Sequence, residues 1–210
     1  MKKRPDLYTN YKSESAIFST STQKVWFVLL ILLSLIVPFY FSPYWMLLVT
    51  TSLLIAIASW GLNIVSGMAG QINLAHGVFV GIGTYTSAVI GGVATSSVIG
   101  FELDMIIWLP LSGIIAALIG IIISPVSARL KGLNLGLVTL AIVFIGSHFF
   151  SNLKFITGGA GLGRKAAKLK FLGIDLDSGL SIGSMILEKN DVIYYFSLIL
   201  CILSLIHISE

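Results

Sequence analysis

The sequence predicts an all-α fold: a polytopic transmembrane helical bundle with about six spans. Three observations carry this. No Lys, Arg, Asp or Glu occurs between Val25 and Phe101, a stretch long enough for several crossings at ~20 apolar residues each. Hydrophobic residues make up 56% of the chain and charged residues 10%, where a soluble domain carries ~25% charged. Every Lys and Arg lies outside the apolar runs, where basic residues act as topology determinants. The net charge of +4 therefore points to a lipid bilayer and not to nucleic acid. The single cysteine, Cys201, leaves no internal disulfide and no Cys-based zinc site.

Residues 1–24 are polar, carry Lys2, Lys3, Arg4, Lys12 and Lys24, and read as a cytoplasmic N-terminal tail. The membrane domain covers 25–208. A first span is expected over about Val25–Phe41, with Pro43 marking a tight turn after it. A second covers about Tyr44–Val65. The polar phrase Ser66-Gly-Met-Ala-Gly-Gln-Ile-Asn-Leu-Ala-His76 follows, then a third span from Gly77 to about Ile99. Glu102 and Asp104 mark a short acidic loop. A fourth span covers about Met105–Ser124 and is expected to end at Pro125. Arg129 and Lys131 sit in a small basic loop. A fifth span covers about Leu133–Phe150, 151–191 is a long polar loop, and a sixth apolar run covers about Val192–Ile208. That run reaches Ile208-Ser-Glu210 with no Lys or Arg anchor, so the expectation is a chain cut short.

Basic residues in short loops face the cytoplasm. An inside tail places the Pro43 turn outside, the 66–76 phrase inside, Glu102 and Asp104 outside, and Arg129 and Lys131 inside. Parity then places 151–191 outside. Lys154, Arg164, Lys165, Lys168, Lys170 and Lys189 in that loop run against the rule.

The constellations that would carry chemistry are few. Gly158-Gly-Ala-Gly-Leu-Gly163 is followed by Arg164, Lys165 and Ala166. A phosphate loop needs Gly-Lys-Ser/Thr at its end and a strand before it, so no nucleotide site is expected. His76, His148 and His207 are far apart and lack companions at metal-ligand spacing. No nucleophile motif is present, so catalysis, cofactor and metal are all expected to be absent. No span contains an ionisable relay of the kind proton-coupled transporters use. Sodium coupling through backbone carbonyls stays open.

The 66–76 phrase has two readings. One is an ordinary tight loop. The other is a broken or re-entrant element whose Gln71, Asn73 and His76 line a translocation pathway. Gly67 and Gly70 would make the breaks. Such irregular backbone survives at depth only beside protein or a watery cavity. A helix starting near Leu74–Gly77 would aim its positive end into that cavity, which suits a carboxylate. Gly77-Val-Phe-Val-Gly81, extended by Gly83, and Gly132-Leu-Asn-Leu-Gly136 are small-xxx-small patterns that allow close helix approach.

Gly61-Leu-Asn-Ile64, Gly67 to Gly77 and Gly81-Ile-Gly-Thr-Tyr85 together resemble the membrane permease of branched-chain amino acid ABC importers. The run from Arg129 through Lys131, Asn134 and Gly136 to Ala141, followed by Thr157-Gly158-Gly159-Ala-Gly161, is similar to the larger, LivM-type permease of that family. The resemblance covers roughly 45–165. It implies a multi-pass inner-membrane importer subunit in a bacterium. Its partners would be a second permease subunit, two cytoplasmic ATPase subunits that use the ATP, and an extracytoplasmic substrate-binding protein. Family members are longer, and their ATPase-docking loop would follow the sixth span. Asn134 and Gly136 stand where the family commonly has an aromatic residue and an alanine. The alternatives are a gradient-driven secondary amino-acid transporter or facilitative channel, and a membrane scaffold.

Overall fold

A computed structural model describes residues 21–159, 163–182 and 185–209. Its long elements are helices: α1 (Ser21–Tyr40), α2 (Pro43–Asn63) with a π-helical turn after it (Ile64–Met68), α3 (His76–Gly91), α4 (Met105–Arg129), α5 (Leu133–Asn152), the single turn α6 (Lys154–Thr157), and α7 (Lys189–Ser209). Two antiparallel hairpins, β1–β2 (Lys170–Phe171 with Ile174–Asp175) and β3–β4 (Leu180–Ile182 with Met185–Leu187), lie between α6 and α7. Among the described residues, five helices are long and apolar enough to cross a membrane: Ser21–Tyr40, Pro43–Met68, Met105–Arg129, Leu133–Asn152 and Lys189–His207. They expose large apolar side chains, among them Leu32, Leu33, Ile121, Ile122 and Phe144, as hydrocarbon surroundings require and water would penalise.

The chain divides into two compact units, one of residues up to Ile57 together with Asn190 onward, the other Ala58–Lys189. In the first unit, α7 presents Tyr194, Ser197, Leu198 and Cys201 at helical spacing, all buried. Tyr194 and Leu198 form a core with Met46 of α2, and Val37, Val49, Leu53 and Ile202 pack around it. Pro38 lies inside α1. It has no N–H to give to the carbonyl four residues earlier, Ser34. The Tyr194 hydroxyl donates to that carbonyl at 2.7 Å, and the Tyr195 hydroxyl donates to the Leu35 carbonyl at 3.0 Å. The proline and Tyr194 are thus one device: the helix loses an internal bond and a neighbouring helix replaces it, while Tyr195 adds a second bond at the next carbonyl.

The second unit is built on α3, α4 and α5, which run up, down and up. α3 packs along α4 more than any other helix pair in the chain packs together. Gly146 of α5 sits against Val78, and a Cβ there would lie 2.6 Å from Val78 Cγ1. At the end of the unit where α3 stops, the loop folds back over it. Phe101 N–H donates to Val89 O, Leu103 N–H to Ile90 O, and Lys168 N–H to Gly91 O. Trp108 Nε1–H donates to Lys168 O at 3.3 Å, and Lys168 Nζ pairs with Glu102 at 3.0 Å.

Four expected boundaries are corrected. The third helix ends at Gly91, well short of Ile99. At 16 residues it is about 24 Å long by the 1.5 Å rise per residue, less than the ~30 Å hydrocarbon core. Gly92 turns to extended backbone (φ −90°, ψ 163°), and the 99–103 segment and Arg164 take over the carbonyls that α3 leaves open. Pro125 does not end α4, which runs on to Arg129; one missing N–H is tolerated where neighbours resolve the freed carbonyl. Pro43 is the first residue of α2 and follows the bend at Phe41–Ser42, a position where its missing N–H costs nothing. The 151–191 segment is not a plain loop, since it carries α6, the two hairpins and a 3-10 turn (Leu176–Ser178), and α7 already starts at Lys189. The 1–20 part of the tail lies outside the described residues.

If Pro38 creates the acceptor that Tyr194 serves, Tyr194→Phe should cost about 1 kcal/mol, the scale of a buried hydrogen bond in such bundles. The loss should shrink in a Pro38→Ala background, where Ser34 O regains a helical donor. Thermal unfolding of the four proteins in detergent reads this cycle, and equal costs in both backgrounds would refute the coupling.

Candidate functional site

The 66–76 phrase follows the α2 backbone as it loosens. Ala69 N–H reaches back five residues to Ile64 O and Gln71 N–H six residues to Val65 O, both at 3.1 Å. π-helical turns of this kind break the regular ladder and recur at functional sites. Asn63 lies directly against Gly67, where any Cβ would overlap its side chain. Gly70 has φ +63°, the left-handed conformation that glycine adopts without strain. These two glycines make the break.

The chain then re-enters a helix by side-chain bonds. Asn73 Oδ1 accepts from Ala75 N–H at 3.0 Å. Thr139 Oγ1 accepts from Leu74 N–H at 3.2 Å and donates to Gly136 O at 3.0 Å. Thr139 is buried, so α5 holds the loop by a hydroxyl used in both directions. Ala75, equally buried, caps α3. A cavity of about 360 Å3 lies at this entry. Gln71, Asn73, His76, Ser124, Ser127 and Thr139 supply its polar lining. The structure therefore brings Gln71, Asn73 and His76 to one cavity. His76 Nε2 is buried with no hydrogen-bond partner among the described residues, although buried polar atoms are generally paired. No Asp, Glu, Lys or Arg lines the cavity.

The remaining predicted positions scatter. A Cβ on Gly81 would meet Phe150 Cε2 at 2.8 Å, whereas Gly77 and Gly83 face open space. Among the described residues, the close helix approach expected along this pattern is made at Gly81. Gly136 faces Ile72 Cγ2 at 3.5 Å. Gly132 caps α5 with φ +58°. Arg129 closes α4 and Lys131 is exposed. Thr157, 1% exposed, lies at the opposite end of α5 from the cavity. Its hydroxyl donates to Phe150 O at 2.7 Å and accepts from Gly159 N–H at 3.1 Å. Gly158 (φ +81°) and Gly159 (φ +78°) turn the chain there, and Gly161 lies outside the described residues.

Sequence reasoning missed Arg164. Its guanidinium donates to Ile156 O and Ala88 O at 2.6 Å and to Ile99 O at 2.8 Å. One side chain thus ties the end of α3, the returning loop and α6. Burial pushes its pKa below the usual arginine value, and three carbonyl dipoles hold the charge in place. An arginine directly behind a glycine-rich turn was the available signal.

The model of the family described as branched-chain amino acid transport system, permease component, matches residues 44–208. The chain belongs to this family. It is an integral membrane protein of the permease type, as its apolar helices require. It is similar to the high-affinity branched-chain amino acid transport system permease protein LivM of Escherichia coli K12, 33% identical over 141 residues and 67% of the chain. It is 31% identical over the same length to the LivM protein of Salmonella typhimurium LT2. The chain spans about a third of these relatives, 32% of each being aligned. No solved structure matches.

The glycine geometry makes a contrast. Gly81→Leu should destabilise by about 1–3 kcal/mol through overpacking, because Phe150 occupies the space. Gly83→Leu should change stability little. Detergent unfolding of both variants, with Gly81→Leu repeated in a Phe150→Ala background, checks this. Equal effects at 81 and 83 would remove the packing role.

Proposed function

We propose that the protein is a membrane-spanning permease subunit of an ABC importer for branched-chain or related amino acids and contributes half of the translocation pathway. The observation that carries this is a charge-free polar cavity inside the segment that matches the permease family. Gln71, Asn73 and His76 line the pathway. An amino acid is a zwitterion with no net charge, so neutral amides, hydroxyls and an imidazole can match its two ends without a buried counter-ion. The first N–H groups of α3 lie ahead of any carbonyl the helix can offer and favour the carboxylate end.

In this reading the N-terminus is cytoplasmic and the membrane is the bacterial inner membrane. A second permease subunit completes the path. Two cytoplasmic ATPase subunits bind and hydrolyse ATP, and an extracytoplasmic binding protein delivers the substrate. The permease itself uses no cofactor and performs no chemistry. It alternates access as the ATPases close and open. The resemblance at Gly67–Gly77 and at Arg129–Ala141 supports the assignment, as does a cavity lining that holds no Asp, Glu, Lys or Arg.

The test is transport by the assembled complex in proteoliposomes. Gln71→Ala should lower leucine uptake several-fold without reducing the amount of complex. Uptake should require ATP in the compartment holding the ATPases. Uptake by the chain alone under a proton gradient would refute the importer reading and favour a secondary transporter.

A further inference from the structure

The polar cavity is one of two that lie end to end among α3, α4 and α5. The other is a partly open cavity of about 770 Å3, lined almost wholly by aliphatic and aromatic side chains, of which Phe101, Ile145 and Phe149 are exposed at its outer side. On α4, Leu111, Ile115, Ile119 and Ile123 border the apolar cavity, and Ile123, Ser124 and Ser127 border the polar one. Leu111, Ile115, Ile119, Ile123 and Ser127 follow at steps of four, so they form one ridge that winds about 40° around the helix per step, from the apolar cavity at Leu111 to the polar one at Ser127. On α5, Thr139 borders the polar cavity, Gly146 the apolar one, and Ile142 between them borders both. These three also share a face, at steps of three and four. The two cavities are consecutive compartments of one cleft, and Ile123 and Ile142 are the residues common to both linings.

The frame around that junction is close-packed. Gly146 against Val78 and Gly81 against Phe150 hold α3 and α5 near contact. β-Branched side chains in helices are nearly fixed at χ1, so the shapes that the two isoleucines present at this junction change little unless the helices move.

We propose that Ile123 and Ile142 form a gate within the cleft, selecting a net-neutral molecule with a polar head and an aliphatic chain. The head rests among Gln71, Asn73 and His76, and the chain passes between the isoleucines into the apolar compartment. The ligand class rests on the permease reading; the gate rests on the geometry of the two linings. A net charge would find no counter-ion in the first compartment. A polar side chain would find few hydrogen-bonding groups in the second, where the Thr157 hydroxyl is already engaged. The two isoleucines are therefore specificity-determining residues.

Thiol accessibility tests this in membrane vesicles holding the complete transporter. Thr86 lines the apolar compartment, and a Thr86→Cys variant with Cys201→Ala reports whether a small hydrophilic methanethiosulfonate reaches it. Ile142→Ala should speed labelling roughly tenfold, the change a barrier shift of about 1.4 kcal/mol produces. Ile142→Trp should slow it, and leucine should protect the thiol. Ile123→Ala, expected to act as Ile142→Ala does, serves if the tryptophan variant fails to assemble. Labelling indifferent to both isoleucines, or absent in every background, overturns the gate and leaves the apolar compartment facing lipid. Leucine uptake is measured in the same vesicles. Labelling that follows residue 142 without any uptake upholds the gate and refutes the import reading. Uptake with labelling indifferent to 142 does the reverse.

Discussion

A backbone carbonyl or N–H facing hydrocarbon has no water to turn to, and this chain is arranged around that shortage. Regular helix satisfies most of the demand. At three places where the helix fails, a side chain stands in. Tyr194 serves the carbonyl that Pro38 leaves open. Thr139 receives the Leu74 N–H where the chain re-enters a helix after the break at Gly67–Gly70. Arg164 collects three carbonyls at the premature end of α3. Each substitution of side chain for ladder permits an irregular piece of backbone, and the irregular pieces are where cavities can form.

Close helix contact is the second requirement, because lipid gives apolar side chains no reason to prefer each other. Gly81 and Gly146 meet it by admitting Phe150 and Val78 against bare backbone. Near the cavity entry, Gly120 has only Phe79 at 3.8 Å from where its Cβ would stand. The α3–α5 frame is thus tight beside the gate and looser at the polar compartment. Space for a ligand comes from the second condition and definition of the gate from the first.

The long apolar runs, and hence the helical membrane fold, could be read from hydropathy because twenty uncharged residues have few other solutions. Gln71, Asn73 and His76 stood out because polar groups flanked by such runs need a reason. The end of α3 did not stand out: Val93, Val98 and Ile99 keep the hydropathy high after the helix has stopped. Glycine roles were only partly legible. A helix that is apolar all round carries no amphipathic signal of which face meets a neighbour, so Gly77 and Gly83 resembled Gly81. Arg164 was hidden for a different reason. Its acceptors are main-chain oxygens of residues 88, 99 and 156, and a carbonyl has no sequence signature.

The two ends of the α3–α5 unit are held by bonds of different strength, and that difference bears on function. At the Arg164 end the hydrogen bonds come from a guanidinium, a class contributing about 1.5–3 kcal/mol each, whereas neutral bonds like those at the cavity end contribute about 0.5–1.5. Lys168 and Glu102 add an ion pair to the stronger end. At the cavity end Asn73 and Thr139 hold the re-entering chain through neutral groups, and each end leaves one buried nitrogen without a partner among the described residues, His76 Nε2 here and Arg164 Nε there. Local opening draws on the weakest bonds first. The polar compartment is therefore the end where the backbone can rearrange at low cost. The proposed pathway needs that property: a permease must release what it binds, and charged groups fixed in the cavity would have tied the chain there as tightly as Arg164 ties the other end.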